Sequence, residues 1–138
     1  MLSTRPAPFR IAVIDDDPTF LELMQELLGA GEGYEVFTCP NWVDSFEHIK
    51  QVQPDLVMLD LMLGRQQAGW AVLELLRSEP ATSETPVILC SAAVPALDGR
   101  MARLNGFTRV EAVAKPFDVD HLLQTIERLL PAQDRIPT

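Results

Sequence analysis

From Arg10 onward, short apolar runs alternate with longer stretches in which apolar positions recur every three or four residues. The runs Ile11–Ile14, Tyr34–Thr38, Leu56–Leu59, Val87–Cys90 and Val110–Ala114 predict five strands. Three of them are nearly continuous apolar, the pattern of strands covered on both faces and hence of a parallel sheet. The stretches between them predict helices. Val119, Leu122, Leu123, Ile126, Leu129 and Leu130 fall on one face of a closing helix. Another begins at Pro18, whose missing N–H costs nothing at a first helical position, and carries Phe20, Met24, Leu27 and Leu28 before glycines 29, 31 and 33 end it. Asp17 is its expected N-cap. Shorter patterns predict helices over Trp42–Val52, with Phe46 and Ile49 inward, and over Trp70–Arg77, with Leu73 and Leu76 inward. Leu97, Met101 and Leu104, between Pro95 and Gly106, predict the fifth. Five βα units result, an α/β domain over residues 10–130 flanked by tails at 1–9 and 131–138.

Composition narrows this picture. With 138 residues, 47% of them hydrophobic and 22% charged, the chain can build one ordinary core. Its formal charge of −9 argues against direct binding to nucleic acid or to anionic membranes. Cys39 and Cys90 stand alone in different segments, Cys90 within an apolar run, so neither a disulfide framework nor a cysteine metal site is expected, and a reducing cytoplasm is the default compartment. No segment approaches the roughly 20 apolar residues of a membrane span, and Pro6 and Pro8 stand where a signal peptide needs an apolar stretch. Because few residues follow Leu130, no output domain is expected on this chain.

The candidate chemistry lies at the strand ends, where open parallel α/β sheets form their binding sites. Asp15, Asp16 and Asp17 follow the first strand, Asp60 the third, Ser91 the fourth, and Lys115 with Pro116 the fifth. Each alone has an ordinary reading as helix cap, turn former or surface charge. Together they carry more. Lysine occurs only at 50 and 115, against nine arginines, and one of the two sits directly behind the last strand. Adjacent carboxylates at an apolar sheet edge repel unless a cation neutralises them, and hard oxygen ligands point to Mg²⁺. A further carboxylate beside such a metal can attack phosphorus, while an ammonium and a hydroxyl hold the remaining phosphoryl oxygens.

The segments Ile11–Pro18 (IAVIDDDP), Pro54–Met62 (PDLVMLDLM), Pro86–Ala92 (PVILCSA) and Ala114–Asp118 (AKPFD) resemble the successive motifs of response-regulator receiver domains, over about residues 10–130. The resemblance implies a doubly wound, flavodoxin-like sheet of strand order 2-1-3-4-5 with five helices. Carried over by position, Asp15 and Asp16 are the acidic pair, Asp16 the more direct Mg²⁺ ligand. Asp60 is the phosphoacceptor and a further ligand, and the backbone carbonyl of Met62 completes the set. Ser91 and Lys115 contact the phosphoryl group. The implied protein is a single-domain cytoplasmic phosphorylation switch. It is loaded by a sensor histidine kinase or phosphotransfer protein, acts through a separate effector protein, and is not a turnover enzyme.

The chain also departs from the family. Four and eight residues after Asp60 stand Gly64 and Ala68 where a proline and a glycine are usual, with Gly69 one place late, so the loop is expected to hold a one-residue insertion. Ala112 replaces the aromatic that stands three residues before the lysine, which leaves the relay to Ser91 and the segment 92–100. Asp15, Asp17 and Thr19 also match the DxDxT opening of haloacid-dehalogenase-type phosphatases, which would make Asp15 the nucleophile of an enzyme. That reading leaves Asp60 without a role and lacks a cap element. Three carboxylates in the first turn would repel the phosphate of a flavin. A docking module that never accepts a phosphoryl group sits poorly with the intact set Asp15, Asp16, Asp60, Ser91 and Lys115. His48 and His121 lie on helices without a ligand pattern, Trp42, Phe46 and Trp70 read as packing, and Phe117 as a staple for the last helix.

One kinetic expectation follows. In receivers the side chains two residues after the phosphoacceptor and two after the Ser/Thr flank the path of the attacking water; here they are Met62 and Ala93, and neither can orient a water. Hydrolysis should therefore lack positional assistance worth about 10²-fold. Decay of the phosphorylated protein at fixed Mg²⁺ should be slower in wild type than in Met62→Asn or Ala93→Glu. Equal rates in all three would show that water is controlled elsewhere.

Overall fold

The computed structural model of the protein describes residues 8–41, 43–61, 68–91 and 109–130, with the side chains of Ala68 and Ser91 outside that description. Five strands, β1 (Arg10–Ile14), β2 (Glu35–Cys39), β3 (Leu56–Asp60), β4 (Val87–Ser91) and β5 (Val110–Ala114), form one sheet in the order β2-β1-β3-β4-β5. All pairings are parallel. The described helices are α1 (Pro18–Met24), α2 (Ser45–Val52), α3 (Ala68–Ser78) and α4 (Val119–Leu129). This is the expected α/β architecture and strand order; the helix expected around Leu97–Leu104 falls outside the described residues.

Alternation along the strands divides the core in two, because successive strand residues face opposite sides of a sheet. Ala12, Ile14, Val57, Leu59, Val87 and Leu89 pack on one face with Ile49 of α2 and Trp70, Leu73 and Leu76 of α3. Ile11, Val13, Leu56, Met58, Ile88 and Cys90 pack on the other with Leu21 and Met24 of α1 and Leu122 and Ile126 of α4. The central strand β3 is buried at every residue, Asp60 included, which is why its sequence shows no polar alternation.

Element boundaries differ from the sequence expectation for local reasons. Strand β1 begins one residue early because Arg10 is anchored: its N–H donates to Asp55 Oδ2 at 2.8 Å and its guanidinium to the Val52 carbonyl at 2.7 Å. Strand β2 begins one residue late because the Tyr34 N–H is spent on the Leu28 carbonyl at 3.0 Å. The first helix does not stop at Gly29 but continues as a π-helical segment, Gln25–Gly31. Glycine is a poor helix former rather than a forbidden one. The turn comes at Gly33, whose φ of 82° suits a residue without a Cβ. Helix α2 starts at Ser45 because Asn41 Oδ1 accepts the Asp44 N–H at 2.9 Å and holds the chain in a turn.

Gly69 ties α3 to the end of β3. Its N–H donates to the Leu61 carbonyl at 3.2 Å. A Cβ there would press on the Asp60 carbonyl and stand 2.6 Å from Leu61 Cα and 2.8 Å from Leu61 O. Backbone, unlike a side-chain tip, cannot swing aside. Gly69→Ala should therefore lower the unfolding free energy by about 2–3 kcal/mol. Gly31→Ala, whose Cβ would meet only the Glu26 carbonyl at 3.5 Å, should be neutral or stabilising by about 0.5 kcal/mol. Urea unfolding of the two variants checks this, and equal effects would refute the contact as the cause.

Candidate functional site

Parallel register brings the carboxyl ends of the strands level. Ile14 pairs with Cys39 and Leu59, Asp60 with Cys90, and Ser91 with Ala114. The residues that close or directly follow these strands, Asp15, Asp16, Asp60, Ser91 and Lys115, thus gather at one edge although they span the whole chain. Backbone bonds extend the ladder one step further, Asp15 N–H to the Cys39 carbonyl at 3.1 Å and Leu61 N–H to the Cys90 carbonyl at 2.8 Å.

Asp15 and Asp60 are buried and Asp16 is exposed. One carboxylate oxygen from each lies within 4.8 Å of the others. Among the described residues Lys115 faces two of them: its Nζ donates to Asp15 Oδ2 at 2.6 Å and stands 3.8 Å from Asp60 Oδ2. Burial pulls the lysine pKa down. The hydrogen bond to Asp15 and the charges of Asp15 and Asp60 more than offset this, and the ammonium is held above its ordinary value of 10.5. The other Asp15 oxygen accepts the Asp17 N–H at 2.9 Å, so the first carboxylate is fixed at both ends. Asp17 is spent as the helix cap, accepting the Thr19 N–H at 3.0 Å, a structural use that leaves the DxDxT reading without its second acid.

The cluster fits a hard dication. An octahedral Mg²⁺ shell with a radius of about 2.0–2.1 Å places its oxygens about 3–4 Å apart, so a small inward movement of three carboxylates already within 4.8 Å of one another would satisfy it. Beneath the site, burial pushes the Cys90 thiol up to about 12, with Lys115 opposing and the Asp60 and Asp15 charges adding to the shift. The thiol stays protonated and takes the place of a small apolar side chain. Cys39 is buried too and donates to the Asn41 carbonyl at 3.3 Å.

Of the sequence-expected site residues, the structure brings together Asp15, Asp16, Asp60 and Lys115. Ser91 ends β4 beside Ala114, and Met62 falls outside the described residues. His48 and His121 sit on α2 and α4, and Trp70 is core. Two neighbours escaped the sequence reading. Lys115 Nζ lies 4.1 Å from the centroid of the Phe20 ring, and Phe20 meets Phe117 in a T-shaped contact, centroids 6.0 Å apart at 76°. Phe20 read only as a core position because helical spacing says nothing about what lies at the edge of a side chain. Beside these rings runs an apolar groove of about 410 Å³, lined by Leu23, Leu27, Pro116 and Val119 as well as Phe20, Phe117 and Lys115.

Comparison with known proteins agrees with this fold. The profile of the response regulator receiver domain matches residues 11–127. The DNA-binding dual master transcriptional regulator RpaA of Synechocystis is 35% identical over 130 residues, 93% of this chain and 52% of RpaA. The chain thus spans about half the length of that relative. Protein PilG of Pseudomonas aeruginosa is 28% identical over 123 residues, 89% of this chain and 88% of PilG. Among solved structures, the signal receiver domain of a DNA-binding response regulator from Colwellia psychrerythraea superposes with a TM-score of 0.75 at 30% identity, covering 88% of this chain and 97% of that one.

Proposed function

The chain belongs to the response regulator receiver domain family, a family of two-component signalling domains, and from that premise we propose that it is a phosphorylation switch whose acceptor is Asp60. The observation that carries the reading is the placement of a buried carboxylate beside two further carboxylates and a lysine. A carboxylate oxygen of Asp60 attacks phosphorus, and the bond from phosphorus to the donor breaks with its electron pair leaving on the donor. From a phosphohistidine the leaving group is the imidazole. Asp15 and Asp16, with Asp60 and the Met62 carbonyl, would hold Mg²⁺, which when bound supplies charge neutralisation at the phosphoryl oxygens. Lys115 moves from Asp15 to the phosphoryl group, a reading supported by the nearness of both carboxylates to its Nζ. Ser91 takes the remaining oxygen.

The partner that loads the site is a histidine kinase or phosphotransfer protein. Support comes from the apolar groove, which shares Lys115 with the carboxylate site and exposes Leu23 and Val119 by 53% and 43%. A phosphohistidine-bearing protein seated there would bring its phosphorus to Asp60. The chain acts in the cytoplasm as a switch, not as an enzyme turning over a substrate, and passes its state to an effector by protein contact. The relatives named for DNA binding match here through a receiver segment only, and the acidic charge of −9 disfavours direct contact with nucleic acid.

Incubation with acetyl phosphate and Mg²⁺ should add one phosphoryl group, seen as an intact-mass adduct that hydroxylamine removes. Asp60→Asn and chelation of the metal should each abolish it. An adduct that persists in Asp60→Asn would move the acceptor elsewhere, and phosphomonoester turnover dependent on Asp15 would replace the reading with a phosphatase.

A further inference from the structure

Lys115 has to serve two carboxylates, yet only one of them bonds it. Its ammonium carries three donors; one meets Asp15 Oδ2 at 2.6 Å, and Asp60 Oδ2 at 3.8 Å is beyond hydrogen-bond reach. The side chain is 19% exposed. Its Nζ stands over the Phe20 ring, 4.1 Å from the centroid. A ring face presents the negative side of its quadrupole to a cation, and the attraction grows as water is removed.

The ring itself is held in place. Phe20 is the third residue of α1, whose start is set by Pro18 and by Asp17 capping the Thr19 N–H, the same segment that fixes Asp15. From the other side Phe117, two residues beyond Lys115, packs against it in a T-shaped contact. The ammonium therefore rests on a fixed aromatic surface anchored to both strand ends that it bridges.

We infer that Phe20 is a positioning residue for Lys115, a π surface that holds the ammonium over the carboxylate site and lets it shift from Asp15 toward a phosphoryl group on Asp60 without becoming solvated. The inference rests on the proposed function for its consequence and on geometry for its premise. Leucine at this position would keep apolar packing and lose the quadrupole. A pentafluorophenylalanine would keep the shape and reverse it.

The chain's only other lysine, Lys50, lies 5.1 Å over the Phe46 ring and serves as an internal reference. In carbon–proton spectra of the lysine ε-methylenes, the Lys115 protons should be shifted upfield by the Phe20 ring and move downfield in Phe20→Leu, while those of Lys50 stay. With acetyl phosphate, a small donor that bypasses the groove, Phe20→Leu and the pentafluorophenylalanine variant should both be phosphorylated about fivefold more slowly. Phe20→Tyr should restore the rate. An unmoved Lys115 resonance in Phe20→Leu, or a wild-type rate in the pentafluorophenylalanine variant, overturns the inference; the latter decides even if Phe20→Leu fails to fold. If wild type forms no adduct the proposed function fails, and the resonance comparison still decides where the ammonium is held.

Discussion

Three carboxylates from two strand ends converge within 4.8 Å, and two of them are buried. Like charges at that separation, at the rim of an apolar sheet, oppose folding unless a cation joins them. Among the described residues Lys115, one hundred residues from Asp15, supplies such a cation to Asp15 and Asp60. A divalent metal beside these carboxylates would add positive charge at the edge, the same charge that a transferring phosphoryl group, itself anionic, needs around it.

The fold imposes this convergence through parallel register. Because β1, β3, β4 and β5 run in one direction and pair in step, every residue that follows a strand arrives at one edge. The side chains there are held from below by an apolar interior in which even Cys90 stays protonated, and from the side by α3, whose Gly69 lets the helix lie directly on the Asp60 backbone. Asp17 caps α1 and also donates its N–H to Asp15. One short turn therefore starts a helix, orients a carboxylate and places the Phe20 ring.

Much of this was legible in the residues. Apolar runs identified the five strands to within one residue, because strands buried on both faces cannot hide among polar ones, and β3 shows this most clearly. The polar residues after those runs include Asp15, Asp16, Asp60 and Lys115, which the structure gathers at one sheet edge. The boundaries that slipped did so where a side chain or a cap overrode the pattern: Arg10 through Asp55, Tyr34 through Leu28, Asn41 ahead of α2. Gly69, which reads in the sequence as a misplaced loop glycine, proved to be a helix residue whose lack of a Cβ serves packing. The Phe20–Lys115 contact was illegible because it joins residues far apart in the chain that no periodicity links. The preference of Lys115 for Asp15 over Asp60 was hidden for the same reason.

If the three carboxylates at this edge repel one another and hold a divalent cation, Mg²⁺ and stability are linked. Urea unfolding of wild type should show a stability that rises with the logarithm of Mg²⁺ concentration, by about 1.4 kcal/mol at ten times the dissociation constant. In Asp16→Asn the dependence should weaken, and the metal-free protein should become more stable than wild type as repulsion is relieved. Wild-type stability indifferent to millimolar Mg²⁺, with Asp16→Asn no more stable than wild type without metal, would contradict the account.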